Sequence, residues 1–183
     1  MRQYIEPFIT GEIASERAEE DMLYYYDAQG QLLAEVYHHD GQFCSGTFYG
    51  KAELDDVTKE QVIEIAERAK KVFGQDHLQL QSVERDEDDY LVEFRHIEPV
   101  YGLLVQGVGL FVTVTDAGFV ESVTLHEDDI EICYPDKMIS KEEARSIIQQ
   151  QPILQLGIAR EMGWQYTYKQ NYDLFGVHPD GKV

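Results

Sequence analysis

His38-His39-Asp40 is the first cluster in the chain whose residue types could ligate a metal or move a proton. Imidazoles and carboxylates are common zinc ligands, and spacings such as HxH or HxxxH bring two of them to one ion. Here the histidines are adjacent on a segment that reads as a strand, where successive side chains point to opposite faces. They cannot share an ion without a bulge, so we read the cluster as a solvated hairpin end. His77, His96, His126 and His178 fall on different elements with no ligand spacing between them. No zinc site is expected.

Two acidic runs follow: Asp86-Glu87-Asp88-Asp89, and Glu127, Asp128, Asp129 and Glu131. A calcium loop of the EF-hand kind needs alternating oxygen ligands, a central glycine and a late glutamate, and neither run supplies them. In a simple meander the turns at 86–89 and 116–118 lie at one end of the sheet and 127–131 at the other, so the runs should not converge. Among 35 Asp and Glu residues, spacing singles out no carboxylate pair for glycoside chemistry. Ser45 and Ser82 lack the GxSxG setting of a nucleophile elbow. Gly107-Val108-Gly109 sits inside a strand rather than before a helix, unlike a dinucleotide-binding turn, and glycines there suit a bulge or a close backbone approach. The expectation is a protein that is not an enzyme, with no catalytic residue, metal or cofactor.

The aromatic residues are the remaining chemistry. Tyr24, Tyr25 and Tyr26 run together, and Trp164, Tyr166 and Tyr168 alternate along one strand face with Tyr172 near. Alternate aromatics on a sheet usually pack beneath a helix, but tyrosine and tryptophan also anchor protein interfaces. Tyr24, Tyr26, Trp164, Tyr166 and Tyr168 are therefore the candidate partner-binding residues.

The totals restrict the partner. The chain has 183 residues, 43% of them apolar, a globular composition large enough for a real core. Thirty-five acidic residues against 15 Lys and Arg leave a formal net charge of -20. That opposes a phosphate backbone, whose affinity comes chiefly from Lys and Arg, and an anionic membrane surface. It suits solubility and steers a basic protein partner toward the chain. No apolar stretch is long enough for a membrane span, and the first residues carry no signal-peptide pattern. Cys44 and Cys133 form no CxxC pair and read as reduced thiols. A cytoplasmic location is expected, or export if a leader precedes the chain. Oligomeric state is not legible.

The elements that must position these residues follow from periodicity and turn chemistry. Residues 1–20 are ambiguous, with a short helical turn over 14–21 one option. Met22–Tyr26, 31–38 and 43–49 read as a three-stranded antiparallel meander with a tight Asp40-Gly41 hairpin. Thr58-Lys59-Glu60-Gln61 has the capping-box pattern. Val62, Ile65, Ala66, Ala69, Val72 and Phe73 then share a helical stripe ending at Gly74. Strands follow at 78–83, 90–97, 103–115 and 119–125, with alternation at Tyr90, Val92 and Phe94 in the second and at Val108, Leu110, Val112 and Val114 in the third. Ser140-Lys141-Glu142-Glu143 opens a second helix limited by Pro152. Strands are predicted at 162–168 and 172–177. The helix-plus-meander unit repeats in part, giving an N-terminal β-meander at 1–56, a central helix plus four-stranded unit at 57–135 and a truncated second unit at 136–183.

Residues 90–144 resemble the YcdB/YcdC-type repeat domain of Bacillus-like bacteria, a relative of the PepSY module. The resemblance rests on Phe94-Arg95, Val100-Tyr101-Gly102, the alternating strand through Val112 and Val114, Gly118-Phe119-Val120 with Ser122, and Ile139-Ser140-Lys141-Glu142-Glu143-Ala144. Where the family carries a Trp after the last strand, this chain has acidic residues. The resemblance implies an α+β fold with one or two helices on one face of an antiparallel sheet. It also implies a binding or inhibitory module associated with peptidases or the cell envelope, and brings no catalytic residues. The expected function is a non-enzymatic protein-binding or peptidase-regulatory module. The alternative is an acidic immunity or inhibitor protein that neutralises a basic toxin or enzyme.

Overall fold

The structure, a computed structural model, describes residues 1–50, 56–87, 89–100, 102–128, 130, 132, 139–149, 154–160 and 164–170, the last two segments by their backbone alone. Asp40 and Gly41 carry positive φ, 48° and 77°, the backbone of a two-residue type I′ hairpin. They join strand β3 (Leu32–His39) to β4 (Gln42–Phe48). Ahead of them β1 (Ser15–Glu19) and β2 (Met22–Tyr26) pair antiparallel. β1 is exposed along its whole length. The segment 14–21, for which the sequence leaves a short helical turn as one option, instead forms an edge strand at residues 15–19, held by backbone bonds to β2 and needing no buried face.

Helix α1 (Lys59–Val72) starts on a complete capping box: the Gln61 N–H donates to Thr58 Oγ1 at 3.4 Å, and the Thr58 N–H donates to Gln61 Oε1 at 2.8 Å. It ends before Gly74, whose φ is 69°. A helix of this length is marginal alone in water, so packing holds it. Val62, Ile65, Ala66 and Ala69 are buried, and each aliphatic side chain of the larger kind contributes roughly 1.5–3 kcal/mol of burial. Lys70 is also buried. Its Nζ donates to the Leu78 carbonyl at 3.1 Å, meets Glu67 Oε2 at 2.8 Å and lies 4.8 Å above the Phe94 ring. These contacts offset the cost of taking an ammonium out of water.

Strands β5 (Gln79–Asp86), β6 (Asp89–Ile97), β7 (Leu104–Thr115) and β8 (Val120–Glu127) complete one sheet of order β1-β2-β3-β4-β8-β7-β6-β5. Every neighbouring pair is antiparallel, including the β4–β8 pair that joins strands before residue 56 to strands after it. α1 carries the chain from central β4 to edge strand β5 and contacts β6, β7 and β8. One face of the sheet supplies Val36, Phe94, Leu110, Val112, Val114 and Val123 to a core shared with the α1 stripe. Two short 3-10 turns, Arg2–Tyr4 and Glu6–Phe8, bring Ile5 and Phe8 into the same core. Tyr4 stacks on Phe73 at 5.2 Å, and Phe8 meets Phe48 at 4.9 Å.

The chain divides into compact units Met1–Ile130 and Glu131–Val183. In the second, α2 (Lys141–Gln149) begins where Ser140 Oγ accepts from the Glu143 N–H. β9 (Leu154–Arg160) pairs antiparallel with β10 (Trp164–Gln170). β10 takes up most of the strand expected at 162–168. β9 was not expected, because Gly157 and a mixed sequence hide its period. The strand expected at 172–177 lies outside the described residues. The fold is α+β in the broad sense, with sheet far outweighing helix.

Candidate functional site

At the β3–β4 hairpin the register shifts between Tyr37 and His38, so Tyr37 faces Ser45 while His38 faces Phe43. That is the bulge the adjacent histidines would need. It still does not join them: His38 is half-buried with Nδ1 shut off from solvent and unpartnered, whereas His39 is exposed and sits 3.7 Å from Asp40. The fold does bring His77 and His96 together, ring centres 5.6 Å apart, a pair that spacing could not reveal. Among the described residues no group of three or more His, Cys, Asp or Glu is placed to hold a metal ion. Cys44 is a free thiol, and Cys133 lies outside the described residues.

The acidic runs sit at opposite ends of the β6–β8 ladder. Asp86 faces Asp89, which pairs with Thr115, while Glu127 pairs with Val108. Glu127 accepts from the Gln75 side chain, and the Asp128 N–H donates to the Gly107 carbonyl at 3.1 Å. Gly107 has φ 81°, and a Cβ there would overlap the Asp128 carboxylate. The glycines of β7 thus serve both a bulge and a close approach, since Arg95 pairs with Gly109 but Ile97 with Leu104.

Beside that bulge a cleft of about 550 Å³ is lined by Glu93, Arg95, Leu104, Phe111 and His126 among others. The Arg95 guanidinium lies 4.6 Å over the Phe111 ring and its Nε contacts Glu93 Oε1 at 2.5 Å. Ser82 Oγ donates to the other Glu93 oxygen at 3.0 Å. His126 meets Phe111 edge-on at 5.4 Å. Both Glu93 oxygens are therefore engaged, and the Ser82 hydroxyl is bonded to that carboxylate rather than to an imidazole. The arrangement is an ion pair seated on an aromatic ring.

The cleft belongs to the sheet face opposite the core. Alternation puts Tyr24, Glu35, Tyr37, Ser45, Thr47, Phe111, Thr113, Ser122 and Thr124 there, and the pairs Tyr24–Glu35, Glu35–Thr47, Thr47–Ser122 and Ser122–Thr113 run straight across five strands. Of the candidate partner-binding residues, Tyr24 is on this face with the Arg17 guanidinium 5.0 Å over its ring. Tyr26 shares its side of β2 and is half-buried. Tyr25, between them, is fully buried in the core. Trp164, Tyr166 and Tyr168 alternate along β10 opposite Arg160, Ile158 and Leu156, in the second unit, and their side chains lie outside the described residues. Sequence reading passed over Glu35, Tyr37 and Tyr49. The alternation that sends Ala34 and Val36 inward already points Glu35 and Tyr37 outward.

No family model matches the chain, and no curated protein matches it. Among solved structures it is similar to the Bacillus megaterium YpeB C-terminal domain, with a TM-score of 0.55 over 93% of this chain and 84% of that one at 12% identity. Likeness at that identity is a likeness of fold.

Proposed function

We propose that this chain is a non-enzymatic binding module whose partner is another protein, a basic polypeptide or a peptidase that it regulates. In architecture it is a PepSY-like assembly of the YcdB/YcdC type, with helices on one face of the sheet and the opposite face given to the partner. The observation that carries the proposal is that opposite face: a row of hydroxyl, carboxylate and tyrosine side chains across β2, β3, β4, β8 and β7 on a chain of net charge -20. Tyrosine-rich, half-exposed surfaces suit protein recognition, and the charge selects for positive partners.

Cross-linking in bacterial lysate at low and high salt tests the proposal. The expected result is one partner of net positive charge, cross-linked near this face and lost as salt screens the attraction. Saturable hydrolysis of a peptide, ester or glycoside by the purified chain would contradict it. The net charge also favours a second reading, an acidic immunity or inhibitor protein for a basic toxin or enzyme. Stoichiometric inhibition of the captured partner would select it.

A further inference from the structure

Tyr24, Glu35, Tyr37 and Tyr49 lie along three neighbouring strands of the outward face, with Glu121 at the bulge of β8 between Val120 and Ser122. Tyr24 pairs with Glu35 across β2 and β3, and Tyr37 stands two residues beyond Glu35 on the same side. The intervening Val36 is fully buried, which fixes the alternation. Tyr49, just past β4, continues the outward row of Ser45 and Thr47, its N–H bonded to the Leu33 carbonyl at 2.9 Å. Its phenol is held above the ordinary value first by burial and then by the Glu35 and Glu121 carboxylates, and Glu35 faces Thr47, two residues before Tyr49. Tyr37 and Tyr49 are 41% and 42% exposed, unlike the buried aromatics of the core. Among the described residues neither Glu35 nor Glu121 has an ion-pair partner.

The same face displays, within its own chain, the chemistry it accepts. Arg17 lies over Tyr24 at 5.0 Å and Arg95 over Phe111 at 4.6 Å. An aromatic face attracts a cation through its quadrupole, and a neighbouring carboxylate adds to the attraction. Tyr37 and Tyr49 have no described cation on their rings, while the Glu35 and Glu121 carboxylates act on the Tyr49 phenol. We infer that Tyr24, Glu35, Tyr37, Tyr49 and Glu121 form the site that takes an extended Lys- or Arg-bearing segment of the partner. The inference rests on the protein-binding function proposed above and adds the place and the chemistry. The patch spans β2 to β8, three strand spacings or about 14 Å, room for roughly four residues of extended chain.

The probe is a ten-residue peptide alternating arginine and alanine, titrated at low salt and followed by fluorescence anisotropy. Glu35→Gln with Glu121→Gln should weaken binding about tenfold. Glu84→Gln with Asp86→Asn, which removes the same charge from edge strand β5, should change it less than twofold. Tyr37→Ala with Tyr49→Ala keeps the net charge and should cost about fivefold, with an unchanged melting curve as the check on folding. Equal losses from the two charge-matched pairs would overturn the patch while leaving a basic partner in place. No binding of the peptide to the unmodified chain would overturn the basic partner as well.

Discussion

Tyr25 is fully buried between two outward-facing tyrosines, and its hydroxyl lies near the Glu16 carboxylate without a well-formed hydrogen bond. Burial, with the Glu16 charge adding and Arg2 opposing, pushes its phenol from 10.0 up to about 12. A group whose folded value lies above its unfolded one holds its proton more tightly in the native state. Its stabilisation is whole below pH 10 and is lost as pH rises through about 12. The difference corresponds to about 3 kcal/mol. Stability measured by denaturant should therefore fall between pH 10 and 12 along with late tyrosinate absorbance, and Tyr25→Phe should flatten that fall. Gly107 tests a different constraint. Gly107→Ala meets both a positive φ and the Asp128 carboxylate, whereas Gly30→Ala meets a similar φ, 79°, with nothing nearby. The φ penalty alone is about 1–2 kcal/mol, so denaturation should show Gly107→Ala costing more than Gly30→Ala. Asp128→Ala in the Gly107→Ala background should recover the excess. The need for glycine in β7 was legible from its position inside a strand. The Asp128 contact was not, because it joins residues whose neighbourhood depends on how β7 and β8 register.

At the scale of elements, the parts with local chemistry were legible and the parts held by pairing alone were not. The Thr58–Gln61 box, the Asp40-Gly41 hairpin and the alternation within 90–97 and 104–115 each state their structure in a few residues, and α1, β3–β4, β6 and β7 form where they are read. β1 carries Ser, Glu, Arg, Ala and Glu with no buried position, so nothing in its own sequence announces a strand. Its backbone bonds to β2 create it. The 3-10 turns at residues 2–8 were unreadable for a related reason: Tyr4 and Phe8 find their partners on Phe48 and Phe73, far along the chain. Where the signal is local, so is the energy. Thr58→Ala removes the acceptor for one otherwise unpaired helix amide and should cost about 1 kcal/mol by chemical denaturation. A loss near zero would mean that packing of the Val62–Ile65 stripe alone sets the start of α1.

For the whole molecule, the joining of β4 to β8 decides what the protein presents. It merges two meanders into one sheet of eight strands, and α1 with the N-terminal turns supplies core residues on one side of it. Composition shows a net charge of -20 but not how the outward face is laid out. The candidate aromatics read from sequence were split between the two compact units, and although alternation points Glu35 and Tyr37 outward, their neighbours Tyr24 and Thr47 follow only from the register of β2, β3 and β4. Shift mapping by nuclear magnetic resonance, with the arginine–alanine peptide added at low salt, tests most directly that this outward face is the binding surface. The expected result is perturbation concentrated on Tyr24, Glu35, Tyr37, Thr47, Tyr49 and Glu121 and abolished by high salt. Perturbation spread evenly over the acidic turns near 86–89 and 116–118, or centred on α1, would contradict it.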